Sequence, residues 1–408
     1  MLMLVMFLAM VAMIFINVPI AVALAIAAVI GVVSSQGVDS LISVGIEMYR
    51  GATGFSLIAI PMFVLAGAIM NAGGISKRLI ALVSAMIGFV RGGLAMVNIG
   101  VSLFFAEISG SAVADVAAMG SVMIPEMKRK GYSPELAAAV TSSSASLAII
   151  IPPSIPMILY AISAGTSVEQ LFVAGLVPGF LGGAALMLVA YVFARRYNLP
   201  VEEAFNLRQL KITFIDALPC MALPVIILGG IFSGLVTATE AAGLAVLAAI
   251  LVAAWYRELD FRQLKVAMLD GGMQTAVVMV LVAASILMGD FLTVARVPQD
   301  LALWITSVSS NQYVILFILN IFFLVIGFFL HSAAAIILVV PIIVPLIQTV
   351  GIDPIHFGLI VTLNLAIGQQ TPPVASVLIT ACSIAKSDIW ETTKVNIWFI
   401  LVLLGVLF

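Results

Sequence analysis

The chain has 408 residues, of which 63% are hydrophobic and 9% charged, and its formal net charge is −2. A soluble domain carries about 25% charged residues, so most of this surface faces something other than water, and a basic nucleic-acid binder is excluded. Cys220 and Cys382 lie inside apolar runs without a CxxC partner and read as small core residues rather than a disulfide or metal pair.

A crossing requires about 20 apolar residues to span a hydrocarbon core of roughly 30 Å. The first candidate, 2–17, follows no Lys or Arg and ends in no small-residue cleavage site, so it reads as a span rather than a cleaved signal peptide. Spans follow at 19–36 and 52–75, and then an apolar stretch at 93–127 with basic residues on both flanks. Beyond it come spans at 133–164 and 168–195. A charged segment, 198–214, carries Glu202, Glu203, Arg208 and Lys211 and suits a helix lying along the interface. Spans at 215–235 and 237–256 precede a second interfacial segment, 257–266, around Arg257 and Lys265. The chain closes with a span at 271–295, an apolar stretch at 311–347 without flanking basic residues, and spans at 353–385 and 389–408.

The Lys and Arg residues orient these ten spans. If the N-terminus lies outside and stretches 93–127 and 311–347 each enter and leave on one side, fifteen of the 17 basic residues are cytoplasmic and only Arg50 and Arg296 lie outside. Treating 93–127 as one crossing places Lys128, Arg129 and Lys130 outside and inverts every later loop. Two re-entrant hairpins, one opening to each side, are the simpler account.

An internal repeat supports it. GYSPELAAAVTSSSASLAIIIPPSIPMILYA from Gly131 aligns without a gap on GIDPIHFGLIVTLNLAIGQQTPPVASVLITA from Gly351, an offset of 220. Gly131 meets Gly351, Pro134 meets Pro354, Pro152-Pro153 meets Pro372-Pro373 and Ala161 meets Ala381, and backwards Pro125 meets Pro345. With the charge argument, the copies insert in opposite orientations, at 1–195 and 215–408 around a cytoplasmic interfacial linker at 196–214. The expected fold is an all-α polytopic membrane protein of two inverted-topology repeats, an architecture of secondary transporters whose sites lie near the midplane.

The chemistry is expected where the prolines fall. A proline removes a backbone N–H and clashes with the preceding turn, and a single one is often only a kink. Two together, at equivalent places in two copies, predict unwound backbone, tolerated at that depth only inside protein or lining a cavity. Carbonyls freed at Ala148 and Ile151, and at Gly368 and Thr371 with its hydroxyl, suit a hard alkali cation such as Na+. The first hairpin places Ser109, Gly110 and Ser111 at its middle; the second places Phe329, Leu330, His331, Ser332 and Ala333 there. Helix N-termini leaving the tips, and those following Pro153 and Pro373, offer amides to an anion without a fixed positive charge. The predicted substrate contacts are Ser111, Pro153, His331, Ser332, Ala333 and Pro373. His331 fits either substrate contact or a packing role, and Asp115 and Glu107 fit either proton carriage or structural hydrogen bonding. Glu240 and Asp290 read as caps or bundle-interior residues, and His356 as an interfacial one.

The segments SGSAVADVAAMGSVMIPEMKRKGYSPELAAAV, IIPPSIP, GLVTATEAAGLAV and GIDPIHFGLIVTLNLAIGQQTPPV resemble the large membrane subunit of tripartite ATP-independent periplasmic (TRAP) transporters, over essentially the whole chain. The resemblance implies a Na+-driven importer of small organic acids in the bacterial inner membrane, working by an elevator-like motion. It implies two partners, a small four-helix membrane subunit and a periplasmic substrate-binding protein, and no cofactor beyond the coupling ion. The family's Na+ sites carry over to Ser109, Gly110, Ala148, Ile151 and Ser154 in copy one, and to Gly327, Gly368, Thr371 and Val374 in copy two. Two departures stand out. Leu330-His331 replaces the Met-Asp of many dicarboxylate members, and Ala375 replaces a glycine after TPPV. They favour a bulkier substrate, such as sialic acid or another sugar acid, over a C4-dicarboxylate.

Other classes fit less well. A channel requires polarity across the whole depth, whereas here it gathers near the midplane. The chain has no HExxH, Gly-x-Ser-x-Gly or Walker A pattern, and its two histidines leave little from which to build an enzyme site.

Overall fold

In the computed structural model, the described residues are 6, 9–10, 12–13, 16, 18–109, 111–201, 205–258, 261–309 and 311–408. Side chains at 107–109, 261, 263, 267, 270, 301–302 and 306–308 are not described. The span expected at 2–17 therefore falls largely outside the described residues.

The described residues form eighteen α-helices and no strand. They begin with α1 Ile20–Gln36, α2 Leu41–Ala52, α3 Ala59–Ala72 and α4 Ile75–Ile87. The first hairpin is α5 Gly93–Ser109 and α6 Ala112–Arg129, and the first broken helix is α7 Pro134–Ala145 and α8 Ile155–Ala164. Next are α9 Val168–Arg196, α10 Leu207–Phe232, α11 Ala238–Trp255, α12 Phe261–Val294 and α13 Val297–Val308. The second hairpin is α14 Gln312–Phe329 and α15 Ser332–Val350; the second broken helix is α16 Pro354–Gly368 and α17 Ser376–Ala385, and α18 Ile389–Leu407 ends the chain. Among the described residues, eight helices are long and apolar enough to cross a membrane, and the chain is a polytopic α-helical membrane protein.

Both hairpins and both breaks lie where the sequence places them. The interfacial helices do not. Asn206 caps α10 by accepting from the amides of Arg208 and Gln209, and the helix then runs unbroken from the charged residues into the membrane. Segment 257–266 likewise divides at Phe261, where the 34-residue α12 begins. Long basic side chains reach water from a helix end, so charge alone does not separate a surface helix from the start of a span. Helices α2, α4 and α13 were not expected; α2 and α4 are short and amphipathic, and none of the three is by itself a full crossing. At one end of the bundle, Arg78 of α4 ties α10 to the α11–α12 turn. Its guanidinium lies 2.7 Å from Glu258, 3.4 Å from Asp216 and 3.6 Å from the centroid of the Tyr256 ring. The hydrogen bond from Arg78 holds the Glu258 carboxyl below the usual range.

The same local chemistry builds the two copies. Gly131 (φ 91°) and Gly351 (φ 79°) take the left-handed turn that ends α6 and α15. Each turn is closed by an amide reaching five residues back, Tyr132 to Met127 at 3.1 Å and Ile352 to Ile347 at 2.9 Å. Ser133 and Asp353 then cap α7 and α16. Both Pro-Pro bonds are cis. After them the register changes: Gly165 and Lys386 close α8 and α17, and Ser167 and Asp388 cap α9 and α18, an offset of 221. The gapless pairing of Ala161 with Ala381 is thus corrected. Ala161 corresponds to Cys382, whose carbonyl accepts from Ser387 as that of Ala161 accepts from Thr166. The added residue lies between Pro373 and Ser376, where Ala375 adopts a left-handed conformation (φ 42°).

The copies interlock. The half-helix α17 packs on α6 and α7 of the first copy, and α8 packs on α15 and α16 of the second. Lys128 at the end of α6 donates to the carbonyl of Ala385 at 2.7 Å, and Tyr160 of α8 donates to Pro354 O at 2.6 Å. Helices α1–α3, α11 and α12 pack on one another outside this unit, and α1, α2 and α12 share a second apolar core.

Arg129 and Thr349 are equivalent, exposed ends of the two hairpins. Single cysteines there are expected to react with impermeant maleimide from opposite faces of oriented vesicles; labelling from one face removes the inverted orientation.

Candidate functional site

The first break is fully enclosed. After α7 the chain makes a 3₁₀ turn, Ser146–Ile149, and residues 150–154 are non-helical before α8. Ala148, Ile151 and Ser154 are completely buried, and Pro153 is buried with them. Ser154 organises the exit: its Oγ donates to Ile149 O at 2.6 Å and accepts from Met157 N at 3.4 Å, capping α8. The cradle is a glycine face on α9. A Cβ on Gly175 would lie 2.6 Å from Ile150 O, one on Gly179 2.6 Å from the Ile151 side chain, and one on Gly182 3.0 Å from Leu147. Small residues at this spacing let a helix approach unwound backbone closely.

The second break is open on one side. Gly368 ends α16 against the arm of the second hairpin, and a Cβ there would lie 2.5 Å from Gly327 Cα and 2.6 Å from Gly327 C. Beyond it, Thr371 donates its amide to Gly368 O at 2.9 Å and its hydroxyl to Ile367 O at 3.0 Å. The amide of Val374 reaches Phe328 O in the hairpin at 3.3 Å. Hairpin tip and break are therefore one structure, which gathers Gly327, Gly368, Thr371 and Val374. Pro373, Val374 and His331 are exposed, whereas Ser332 and Ala333 are buried at the start of α15.

Side-chain caps are present at some helix starts and absent at others, Pro19, Ser40, Ile58, Gly74 and Arg296 among the latter. Ser133, Ser154, Ser167, Asn206, Thr237, Asp353 and Asp388 accept hydrogen bonds from the first amides of their helices. His331 and Ala375, which precede α15 and α17, make no such bond. Two helix starts without a side-chain cap thus adjoin the Val374–Phe328 contact; at α17 the Val377 amide is taken by Gln369 O at 3.1 Å, which leaves the start of α15 as the one suited to an anion. In the first hairpin, Gly110 and the Ser109 side chain lie outside the described residues; Ser111 is half-buried at the start of α6.

Comparison with known proteins follows this architecture. The family model described as "Tripartite ATP-independent periplasmic transporter, DctM component" matches residues 7–408. The chain belongs to this family. It is 44% identical to the uncharacterized protein YgiK of Salmonella typhimurium, over 93% of this chain and 88% of that protein. It is 38% identical to the C4-dicarboxylate TRAP transporter large permease protein DctM of Pseudomonas aeruginosa, over 90% and 86%. It is 37% identical to the 2,3-diketo-L-gulonate TRAP transporter large permease protein YiaN of Escherichia coli, over 88% and 85%. A solved structure, the YdaH transporter of Alcanivorax borkumensis, shares the fold at a TM-score of 0.67 and 14% identity, covering 91% of this chain and 88% of that one. This DctM-family protein is accordingly the large membrane subunit of a TRAP transporter, a secondary transport system for organic acids.

Several residues of this TRAP subunit's site were not singled out from sequence. Buried side-chain bonds join each hairpin arm to the neighbouring half-helix: Asn98 to Thr141 at 2.7 Å and Ser102 to Ser144 at 2.9 Å in copy one, and Asn364 to Asn320 at 2.7 Å in copy two. Gln370 and Asn396 meet Ser143 across the copies. Gln369 is buried with both amide atoms lacking a partner among the described residues. The available signal was the polar runs Thr141–Ser144 and Gln369–Gln370 within apolar spans. Glu240 forms a capping box with Thr237, as its position in the sequence suggests.

The Gly327–Gly368 approach involves backbone on both sides and cannot yield cheaply. Gly368→Ala is expected to cost about 1–3 kcal/mol or more, read as a lower melting temperature in detergent and loss of uptake. A variant as stable and active as the parent contradicts the geometry.

Proposed function

We propose that this TRAP large subunit couples Na+ entry to import of a small organic acid, with the cation held by unwound backbone and the acid's carboxylate by helix N-termini. The observation that carries this reading is the second break, where the Val374–Phe328 contact brings a hairpin tip to an interrupted helix beside the start of α15, which has no side-chain cap. Carbonyl and hydroxyl oxygens at Gly368 and Thr371, and at Ala148, Ile151 and Ser154 in the enclosed copy, are the ligands a hard monovalent cation takes. Ser109, Gly110, Gly327 and Val374 belong to the same proposed cation shells. Ser111, His331, Ser332, Ala333, Pro153 and Pro373 line the proposed acid site; Pro153 would require movement to reach a substrate, because it is buried here. The fifteen-to-two charge asymmetry supports opposite insertion of the copies, and the motion we propose is the elevator-like displacement that the family resemblance implies.

The substrate we favour is a sugar acid, sialic acid among them. His331 is exposed at the tip, where its imidazole can hydrogen-bond a hydroxylated substrate, and one relative is named for 2,3-diketo-L-gulonate. A C4-dicarboxylate is the second reading, favoured by the name of another relative. A small four-helix membrane subunit and a periplasmic binding protein complete the system in the inner membrane, as the tripartite family description supports.

Uptake in proteoliposomes with both partner proteins, under an imposed Na+ gradient and across a panel of organic acids, tests all of this. Sugar-acid uptake that stops when K+ replaces Na+ is expected; uptake indifferent to the exchange removes the sodium coupling, and preference for succinate-like acids selects the second reading. Thr371→Val is expected to raise half-saturating Na+ about fivefold, on the order of one hydroxyl contact worth ~1 kcal/mol. An unchanged Na+ affinity takes Thr371 out of the site.

A further inference from the structure

One side chain bridges the two breaks. Gln370 lies in the non-helical segment after α16 and is fully buried. Its Nε2 donates to Ser146 Oγ at 2.6 Å, and its Oε1 accepts from Ser143 Oγ at 2.8 Å. Ser146 opens the 3₁₀ turn that leads into the first break, and its own hydroxyl donates to Ser143 O at 2.7 Å. From α18, Asn396 donates to the Gln370 carbonyl at 3.4 Å, with its Oδ1 2.7 Å from Ser143 Oγ.

The carboxamide is engaged at both ends: Nε2 faces the Ser146 oxygen, whose proton goes to Ser143 O, and Oε1 shares the one Ser143 hydroxyl proton with Asn396 Oδ1. Complete burial makes each of these bonds costly to leave unmade. The turn itself does not demand a polar residue, because the equivalent position in copy one is Ile150. The ends of the bridge also lie next to the chemistry: Thr371 follows Gln370, and Ala148 lies two residues beyond Ser146.

We propose that Gln370 is a positioning residue that couples the two breaks, so that cation occupancy at one changes the carbonyl geometry, and hence the affinity, of the other. This rests on the reading of both breaks as cation-binding elements. The coupling travels along the chain from Thr371 to Gln370, across the Gln370–Ser146 hydrogen bond, and along the 3₁₀ turn to Ala148.

The test uses the full chain with its partner subunit and binding protein in proteoliposomes, and measures uptake against Na+ concentration for the parent, Gln370→Leu, Ser146→Ala and the double variant. Gln370→Leu is expected to flatten a cooperative Na+ curve toward hyperbolic and to raise half-saturating Na+ about fivefold or more, within the usual range of coupling between sites. Ser146→Ala should give part of that change, the double variant should be no worse than Gln370→Leu alone, and substrate half-saturation at saturating Na+ should move less than about twofold. If Gln370→Leu fails to assemble, Ser146→Ala, which removes one acceptor and keeps the amide, carries the same test. Parental steepness in the variants with only a lower melting temperature, additive effects in the double, or a hyperbolic parental curve each overturns the coupling. A parent indifferent to Na+ removes the cation reading itself, and this proposal with it.

Discussion

A peptide group inside a bilayer has no water to bond, so interrupted backbone survives there only where protein surrounds it. Both breaks in this chain meet that condition by different means. In copy one, the glycine face of α9 closes over Leu147, Ile150 and Ile151, and Ser154 takes up Ile149 O. In copy two, Gly327 and Gly368 bring backbone against backbone, and Val374 finds its acceptor in the hairpin at Phe328. Hairpins, small residues and buried hydroxyls are all consequences of keeping those peptide groups satisfied.

The interlocking of the copies follows from the same requirement. Each half-helix beyond a break is ten residues long, too short to cross the membrane or to stand alone. Each therefore packs on the other copy, and the cross-copy bonds from Lys128 and Tyr160 satisfy carbonyls at those junctions. The pairing is not symmetric. The break of copy one is enclosed, while Pro373, Val374 and His331 leave the break and tip of copy two open at the surface, and the extra residue at Ala375 falls on the open side.

Much of this was legible from residues alone. Gly131 and Gly351 mark left-handed turns, Pro134 and Pro354 mark helix starts, and twin prolines mark the breaks, because each of these residue types restricts or frees the backbone locally. The family resemblance was equally readable, since it rests on contiguous runs. The surface helices were misread, since charge at 208–211 and 257–265 is compatible with both an interfacial helix and the start of a span. The one-residue change of register after Pro373 was hidden because small apolar residues on both sides align nearly as well at either offset.

By itself the sequence determined membrane class, the two copies, the hairpins and the positions of the breaks, since these depend on composition and on the backbone preferences of Gly and Pro. Only the tertiary structure decided which break is enclosed, which helix starts lack a side-chain cap and which polar residues meet. Ser143, Gln370 and Asn396 are up to 253 residues apart in the chain. Their meeting depends on how helices from two copies pack, and no local pattern of residues encodes a contact between surfaces that the fold alone brings together.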